Sequence, residues 1–171
     1  MEQDGNILRL FGIVEESVVD GPGFRYTVFV QGCPHGCPGC HNPGSHPFEG
    51  GTLRDIDSIF QEICQGPLLK VVTFSGGEPF CQPGPLARLA EMVHAKGLDV
   101  MIYSGWTLEQ LQAMDDPAVQ ALLNQADYLV DGPFLLAERD LDLTFRGSAN
   151  QRVLDMNKTR AAGEPVWADF A

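Results

Sequence analysis

Three cysteines within one short segment are the residues of this sequence best suited to chemistry. Cys33, Cys37 and Cys40 follow the spacing C-x3-C-x2-C, and the glycines and prolines between them suit a tightly wrapped loop. Three thiolates on such a loop can hold three corners of a cuboidal iron–sulfur cluster and leave one iron without a protein ligand. That open iron can bind a substrate or cofactor directly. The spacing therefore predicts a [4Fe-4S] cluster with one open iron.

A zinc site with a nearby histidine as fourth ligand is the alternative for these thiols. The candidate histidines are His35, His41 and His46. Zinc sites usually pair cysteines as C-x2-C with a second pair elsewhere, and the sequence has no second pair. The other two of the five cysteines, Cys64 and Cys81, stand apart, and an odd count argues against a disulfide framework. The cluster is therefore the preferred interpretation.

A second segment with chemical potential is SGGEP at residues 75–79, which follows a predicted strand. Its two adjacent glycines leave backbone amides and carbonyls uncovered, so a ligand can lie along the chain. These backbone acceptors and the Glu78 carboxylate suit an ammonium group. An ordinary strand-to-helix turn explains the segment equally well when it is taken alone. Its position after a three-cysteine loop favours a ligand site.

Alternating strands and helices are predicted to position these segments. The predicted strands are 8–14, 24–30, 70–74, 98–102, 128–130 and 151–154. Helices are predicted to begin at Thr52-x-x-Asp55, near Pro85, at Thr107-x-x-Gln110 and near Ala118. Such alternation implies parallel strands joined by right-handed crossovers. Their carboxyl ends would gather four segments at one edge: CPHGCPGC, SGGEP, YSGW and DGPF.

The length of the chain limits the architecture. A full eight-unit barrel needs roughly 200 residues or more, and this chain has 171. We therefore expect an α/β fold in the form of a partial, open β/α barrel. Residues 1–156 are predicted to form its single domain. Residues 157–171 have little pattern, and we expect a C-terminal tail with partial disorder.

The bulk composition excludes several classes of protein. With 44% hydrophobic and 20% charged residues, the chain is typical of a globular protein. Its formal net charge of -12 argues against binding to nucleic acid, which needs a basic face. No stretch approaches the roughly 18 apolar residues of a membrane span, and the acidic N-terminus lacks the basic start of a signal peptide. We therefore expect a cytoplasmic protein that binds neither nucleic acid nor membrane.

Several segments together resemble the radical S-adenosylmethionine (SAM) superfamily and, within it, the activating proteins of glycyl-radical enzymes. The cysteine loop followed by GGEP is similar to the superfamily pattern. Residues 19–25 (VDGPGFR) and 40–43 (CHNP) are similar to the signature of the activating group. Residues 130–134 (VDGPF) and 145–152 (FRGSANQR) resemble the activators of anaerobic, class III ribonucleoside-triphosphate reductase. The resemblance spans residues 8–152.

This resemblance implies a pair of cofactors and a reaction. Cys33, Cys37 and Cys40 would hold the [4Fe-4S] cluster, and its open iron would chelate SAM through the amino and carboxylate groups. One electron from an external reductant of the flavodoxin or ferredoxin type would cleave the S–C5′ bond. The resulting 5′-deoxyadenosyl radical would abstract a hydrogen from a backbone glycine of the large reductase subunit. The cofactors carry the hard chemistry, and the protein positions them.

The resemblance also indicates which residues bind SAM. The expected residues are Gly76, Gly77, Glu78, Ser75, Ser104 and Asp131. The first three would lie along the methionine moiety, whereas Asp131 has the capping of the next turn as its alternative role. One departure from the superfamily is Gly39, where many members carry an aromatic residue that packs on the adenine. The reductase activators also favour glycine there.

Further residues stay open between a role in the site and a structural role. His41 would either tune the cluster by hydrogen bonding or shape the loop. Cys81 follows GGEP closely and would lie near the site or serve as a small core residue. Arg146, Asn150 and Arg152 would pair with carboxylates of SAM or of the partner, or would latch the C-terminal segment.

Three other functions remain as alternatives. One is the activation of a different glycyl-radical enzyme, of the formate-lyase type. Another is a radical SAM enzyme that acts on a small molecule, such as a deazaguanine-forming enzyme, although residues 145–152 argue against it. The third, from a different class of protein, is a zinc-stabilised binding module.

Overall fold

A mixed seven-stranded sheet forms the centre of the protein, in a computed structural model that describes residues 5–65 and 71–170. The strands are β1 (Ile7–Ser17), β2 (Arg25–Val30), β3 (Thr52–Asp55), β4 (Val71–Gly76), β5 (Val100–Tyr103), β6 (Tyr128–Asp131) and β7 (Arg152–Asp155). Their order is β3-β1-β2-β4-β5-β6-β7. The central strands β2, β4, β5 and β6 are parallel, whereas β1, β3 and β7 are antiparallel to their neighbours. The sheet does not close, which confirms the expected open α/β architecture.

Helices cover one face of this sheet. They are α1 (Ile56–Gln65), α2 (Pro83–Ala95), α3 (Leu108–Gln112), α4 (Pro117–Gln125) and α5 (Met156–Ala162). Helix α2 packs between α1 and α4, and their buried apolar side chains form one core with those of the strands. Successive side chains of β5 point to opposite faces of the sheet. Val100 and Ile102 belong to this core, whereas Met101 and Tyr103 belong to a small cluster on the other face. No helix in the described ranges is long and apolar enough to cross a membrane.

The face opposite the helices carries buried polar side chains, and Arg25 is the largest of them. Its guanidinium is fully buried and donates to Thr73 Oγ1 at 2.7 Å, to the Val72 carbonyl at 2.8 Å and to the Asp99 carboxylate. The Thr73 hydroxyl in turn donates to the carbonyl of Asp20 at 2.8 Å. A buried cation is tolerated where its donors are satisfied in this way. The network fixes the turn that contains Asp20 onto the sheet.

The prediction of a helix start at Thr52-x-x-Asp55 is wrong. These four residues form strand β3, which pairs antiparallel with the first part of β1, from Leu10 opposite Thr52 to Ile7 opposite Asp55. Helix α1 begins at Ile56, and Asp55 Oδ1 accepts the N–H of Asp57 at 2.7 Å. The capping role therefore belongs to Asp55, because residues 52–55 pair with the edge of β1 that lies opposite β2 and the helix starts only after them.

The other predicted elements lie close to their expected positions. The capping box of α3 is confirmed, since Thr107 Oγ1 accepts from the Gln110 N–H and the Gln110 side chain accepts from the Thr107 N–H. Lys70, the predicted first residue of the third strand, lies outside the described residues.

The C-terminal segment differs from the expected tail with little pattern. Asp155 Oδ1 caps α5 by accepting the Lys158 N–H at 3.0 Å, and Gly163 ends the helix with a φ of 73°. Trp167 then forms a β-bridge to Leu154, and Ala168 is buried. Residues 157–170 thus pack onto β6 and β7, because capping and edge pairing stabilise a segment that has little hydrophobic periodicity.

Candidate functional site

A cavity of about 600 Å³ opens at the carboxyl ends of the parallel strands. The four segments that were expected at this edge all contribute to its wall. Residues from them that line it include Cys33, Cys37, Cys40, Ser75, Gly76, Gly77, Tyr103, Ser104, Gly105, Gly132 and Phe134. The prediction that these segments gather at one edge is therefore confirmed. A volume of this size is typical of sites for small molecules and cofactors.

The loop that carries the three cysteines is fixed at both ends. The Gly32 N–H donates to the Ser45 carbonyl at 2.7 Å, and the Cys33 N–H donates to the His46 carbonyl at 2.9 Å. Within the loop, Gly36 and Gly39 have φ values of 58° and 76°, which residues with a Cβ rarely adopt. These glycines let the chain wrap so that all three thiols face one cavity.

The chemistry of the three thiols fits an iron–sulfur cluster. All three cysteines are free and partly exposed to the cavity. Burial raises the pKa of the Cys33 thiol, and the nearby charges of Glu78, Cys37 and Cys40 raise it further. A raised pKa means that the Cys33 thiolate is unfavourable in the metal-free protein. A bound metal ion would offset this, because metal ions stabilise thiolates. In the described part of the chain, no three His, Cys, Asp or Glu side chains converge closely enough to hold a single metal ion.

The glycines of the SGGEP segment allow the end of β4 to contact the chain just before the cysteine loop. The Gly77 N–H donates to the Val30 carbonyl, and the Glu78 N–H donates to the Gly32 carbonyl, both at 2.8 Å. A Cβ on Gly77 would stand 2.3 Å from the Gly32 oxygen, and one on Gly76 would stand 2.4 Å from the Val30 nitrogen. The backbones therefore meet at a distance that only glycine permits.

Glu78 lies behind the cavity wall and does not line it. Its carboxylate is fully buried and accepts hydrogen bonds from Ser104 Oγ at 2.9 Å, the Gly105 N–H at 2.8 Å and the Phe80 N–H at 3.0 Å. His35 Nε2 is a fourth partner, at 2.6 Å. Protein groups therefore bond to both carboxylate oxygens of Glu78, and its expected place along the methionine moiety of SAM stays a prediction.

Asp131 also lies outside the cavity wall, whereas Ser104 lines it. The Asp131 carboxylate is buried at the end of β6, where it accepts from Arg152 and from the N–H of Leu108 at 2.7 Å. Asp131 therefore has a capping contact, as its alternative role expected. The N–H that it accepts belongs to the first residue of α3, however, and not to the turn that follows Asp131. The Ser104 hydroxyl donates to Glu78 Oε1 at 2.9 Å and accepts the N–H of Trp106 at 3.0 Å.

The C-terminal motif at residues 145–152 forms one side of the cavity. Arg146 lines it, and its guanidinium donates to the carbonyls of Ala149 at 3.0 Å and Gln151 at 2.7 Å. The same guanidinium lies 4.9 Å from the ring centroid of Trp167. These contacts are those of a structural latch. Phe145 has a φ of 59°, a conformation that costs a residue with a Cβ about 1–3 kcal/mol and marks a constrained wall.

Two residues of the site were missed by sequence reasoning. His35 was considered only as a zinc ligand, yet its ring joins the cysteine loop to Glu78. Phe134 packs over Gly39, where an added Cβ would stand 3.4 Å from its ring, and its ring meets that of His41 edge-on with 5.6 Å between centroids. Phe134 belongs to the VDGPF segment that the sequence singled out, but no role was assigned to its side chain.

The remaining cysteines lie outside the cavity wall. Cys64 belongs to α1. Burial, with the nearby charges of Glu78 and Cys33, raises the pKa of the Cys81 thiol to about 12. Cys81 is therefore a neutral thiol at physiological pH.

The sequence matches known proteins over most of its length. The family model described as "4Fe-4S single cluster domain" matches residues 19–154. The anaerobic ribonucleoside-triphosphate reductase-activating protein of Vibrio cholerae is 36% identical over 143 residues, which cover 78% of this chain and 89% of that protein. The pyruvate formate-lyase-activating enzyme of Listeria monocytogenes is 29% identical over 166 residues, covering 93% of this chain and 66% of that protein. The crystal structure of QueE from Escherichia coli aligns with 59% of this chain and 54% of its own, at 16% identity and a TM-score of 0.48.

Proposed function

The chain belongs to the family of anaerobic ribonucleoside-triphosphate reductase-activating proteins, and on this premise we propose that it generates a glycyl radical on the anaerobic reductase by reductive cleavage of SAM. Three free cysteine thiols that line one cavity, with Ser75, Gly76 and Gly77 on the same wall, are the observation that carries this proposal. The chain is accordingly an enzyme of the radical SAM type.

The cluster ligands in this proposal are Cys33, Cys37 and Cys40. A [4Fe-4S] cluster needs thiolates on a short loop, and the match to a 4Fe-4S cluster domain supports that group. A cluster held by these residues and reduced by one electron would supply the chemistry that cleaves bound SAM to methionine, with the abstracted glycine hydrogen ending in 5′-deoxyadenosine.

The chain's own residues bind and orient the SAM molecule. Ser75, Gly76 and Gly77 line the cavity beside the cysteines, where their polar groups would suit the amino and carboxylate groups of the methionine moiety. Ser104 lines the same wall and would complete the contact surface for SAM. Glu78 and Asp131 contribute by positioning these segments, because their carboxylates are bonded within the protein.

Apolar side chains complete the cavity and protect the reactive species. Phe29, Phe134 and Phe145 line it, and each excludes water without offering an easily lost hydrogen from a thiol or alcohol. Val19 also lines it and is 73% exposed, so the cavity is continuous with the outer surface. A glycine on a partner protein can therefore approach from this side.

The partner in this proposal is the large glycyl-radical subunit of the reductase. The name of the relative from Vibrio cholerae supports it. The electron would come from an external flavodoxin- or ferredoxin-type reductant. All five cysteines are free, which fits the reducing cytoplasm that we propose as the location. The similarity to a pyruvate formate-lyase-activating enzyme supports a second candidate, the activation of a formate-lyase type of enzyme.

Replacement of single cysteines tests the ligand assignment and the reaction together. After anaerobic reconstitution with iron and sulfide, the wild-type protein should hold one [4Fe-4S] cluster per chain and form 5′-deoxyadenosine from SAM under reduction. Cys37→Ala should lose both properties, whereas Cys64→Ala should keep both. If Cys64→Ala also lost the cluster, the three-ligand assignment would be wrong. A wild-type protein that held the cluster but cleaved no SAM would contradict the proposed reaction.

A further inference from the structure

The cysteine loop has one side-chain anchor between its first two cysteines. Between Pro34 and Gly39, among the described residues, the ring of His35 makes the one side-chain hydrogen bond to another element. Its Nε2 lies 2.6 Å from Glu78 Oε1, and its side chain is only 14% exposed. The anchor therefore sits between the first and second cysteines, two residues past the backbone bonds that fix Gly32 and Cys33.

The other end of this hydrogen bond is rigid. Glu78 is 0% exposed, and its two oxygens accept backbone N–H groups from Gly105 and Phe80 as well as the hydroxyl of Ser104. Each oxygen of Glu78 already accepts a backbone N–H, so we assign Glu78 as the acceptor and His35 Nε2 as the donor of the hydrogen bond between them. The imidazole thus joins the loop to the ends of β4 and β5.

Packing holds the ring in place as well. The His35 ring meets the Trp106 ring edge-on, with 4.7 Å between centroids and an interplanar angle of 75°. Gly105 leaves no spare room, because an added Cβ would stand 2.4 Å from His35 Cδ2. One rotamer of the imidazole is therefore selected by contacts on two sides.

We propose that His35 is a positioning residue which holds the cysteine loop in its cluster-binding shape before iron arrives. This inference rests on the proposed function, in which Cys33 and Cys37 are cluster ligands. A loop rich in glycine loses much conformational freedom when it is ordered, and an anchor made during folding removes that cost from cluster binding. Groups that orient metal ligands in this way typically change metal affinity about 10- to 100-fold when they are removed.

The test uses the full chain in two states. In the iron-free protein, hydrogen–deuterium exchange at residues 34–39 should be faster in His35→Ala than in the wild type. In the reconstituted protein, loss of cluster absorbance to an iron chelator should be about 10- to 100-fold faster. His35→Gln places an amide donor near the position of Nε2 and should restore most of the wild-type rate.

His94→Ala is the matched control. It removes another histidine–carboxylate pair, His94 Nε2 to Asp127 Oδ2 at 2.7 Å, from outside the cavity wall. It should lower the thermal stability of the chain without changing the exchange of residues 34–39 or the rate of cluster loss.

Two results would overturn the inference: a wild-type rate of cluster loss in His35→Ala, or a His35→Gln variant as defective as His35→Ala. If His35→Ala does not fold, Gly105→Ala decides, because it keeps the imidazole and displaces it. Faster cluster loss in Gly105→Ala supports the anchor, and a wild-type rate refutes it. A wild-type protein that takes up no cluster would instead refute the proposed function.

Discussion

Arg152 forms a two-point ion pair with the buried carboxylate of Asp131. Nε lies 3.0 Å from Oδ1, and Nη2 lies 2.5 Å from Oδ2. The pair joins β7 to β6 at the sheet edge, and Asp131 also accepts the first N–H of α3, from Leu108. Asp131 and Glu109 both raise the pKa of Arg152, so its guanidinium stays charged at every pH at which the protein is folded.

Loss of Arg152 should destabilise the protein far more than loss of its exposed partner. Arg152→Ala leaves the carboxylate of Asp131 buried and unpaired, and we expect the free energy of unfolding to fall by about 3 kcal/mol. Glu109 is 58% exposed, so Glu109→Ala should cost less than about 1 kcal/mol. Urea unfolding of the iron-free variants measures both. Equal losses for the two variants would contradict the buried pair.

Gly77 should tolerate no side chain. A Cβ at this position would stand 2.3 Å from the carbonyl oxygen of Gly32, which belongs to the backbone and cannot rotate away. Gly77→Ala should therefore lower the free energy of unfolding by at least about 2 kcal/mol and weaken cluster retention. A Cβ on Gly84, at the start of α2, would meet no atom within 4 Å, so Gly84→Ala should change stability by less than about 1 kcal/mol. Chemical denaturation compares them, and a neutral Gly77→Ala would contradict the close backbone contact.

Arg25 should not be replaceable by lysine. Its guanidinium is fully buried and donates in several directions, to Thr73, Val72 and Asp99, whereas an ammonium group cannot span the same acceptors. We expect Arg25→Lys to lower the free energy of unfolding by about 3 kcal/mol. Differential scanning calorimetry of the iron-free protein measures the loss. A melting temperature equal to that of the wild type would contradict the role of the network.

Asp127 should make stability depend on acid pH. Burial alone raises the pKa of this carboxyl, but hydrogen bonds from Asn157, His94 and the Val100 N–H outweigh burial and hold the pKa below its ordinary value. A carboxyl whose pKa is lower in the folded than in the unfolded state stabilises the fold at pH values above its unfolded pKa of about 3.9. This stabilisation is lost as the pH falls through the folded-state pKa. The free energy of unfolding of the wild type should thus fall below about pH 4.

Asp127→Asn provides the comparison for that pH dependence. The variant should be less stable than the wild type at neutral pH, and the difference should shrink as the pH falls below about 4. Urea unfolding at a series of pH values measures both curves. A difference that stayed constant down to the lowest pH would contradict the lowered pKa.

Local patterns in the sequence were enough to predict the chemistry-bearing segments and their common edge. The cysteine spacing and the glycine pair depend on residues that are neighbours in the chain, and so does the Thr107 capping box. Strand β3 could not be predicted in this way, because Thr52 and Asp55 are polar and their state depends on the free edge of β1.

The roles of the acidic residues depend on partners that are distant in the sequence. Glu78 meets His35 across 43 positions, and Asp131 meets Arg152 across 21. Glu78 follows β4 and Asp131 ends β6 at the functional edge, and the resemblance to the activating proteins implied that both bind SAM. Burial and pairing, which only the folded chain defines, are the observations on which we propose a positioning role for both carboxylates.

Electron paramagnetic resonance of the reductase is the most direct test of the proposed function. The reconstituted chain would be reduced anaerobically with SAM and with purified anaerobic ribonucleoside-triphosphate reductase, and in parallel with a pyruvate formate-lyase. We predict a glycyl-radical doublet on the reductase, matched by 5′-deoxyadenosine, and none on the lyase. A doublet on the lyase alone, or 5′-deoxyadenosine without any glycyl radical on the reductase, would contradict the proposed partner.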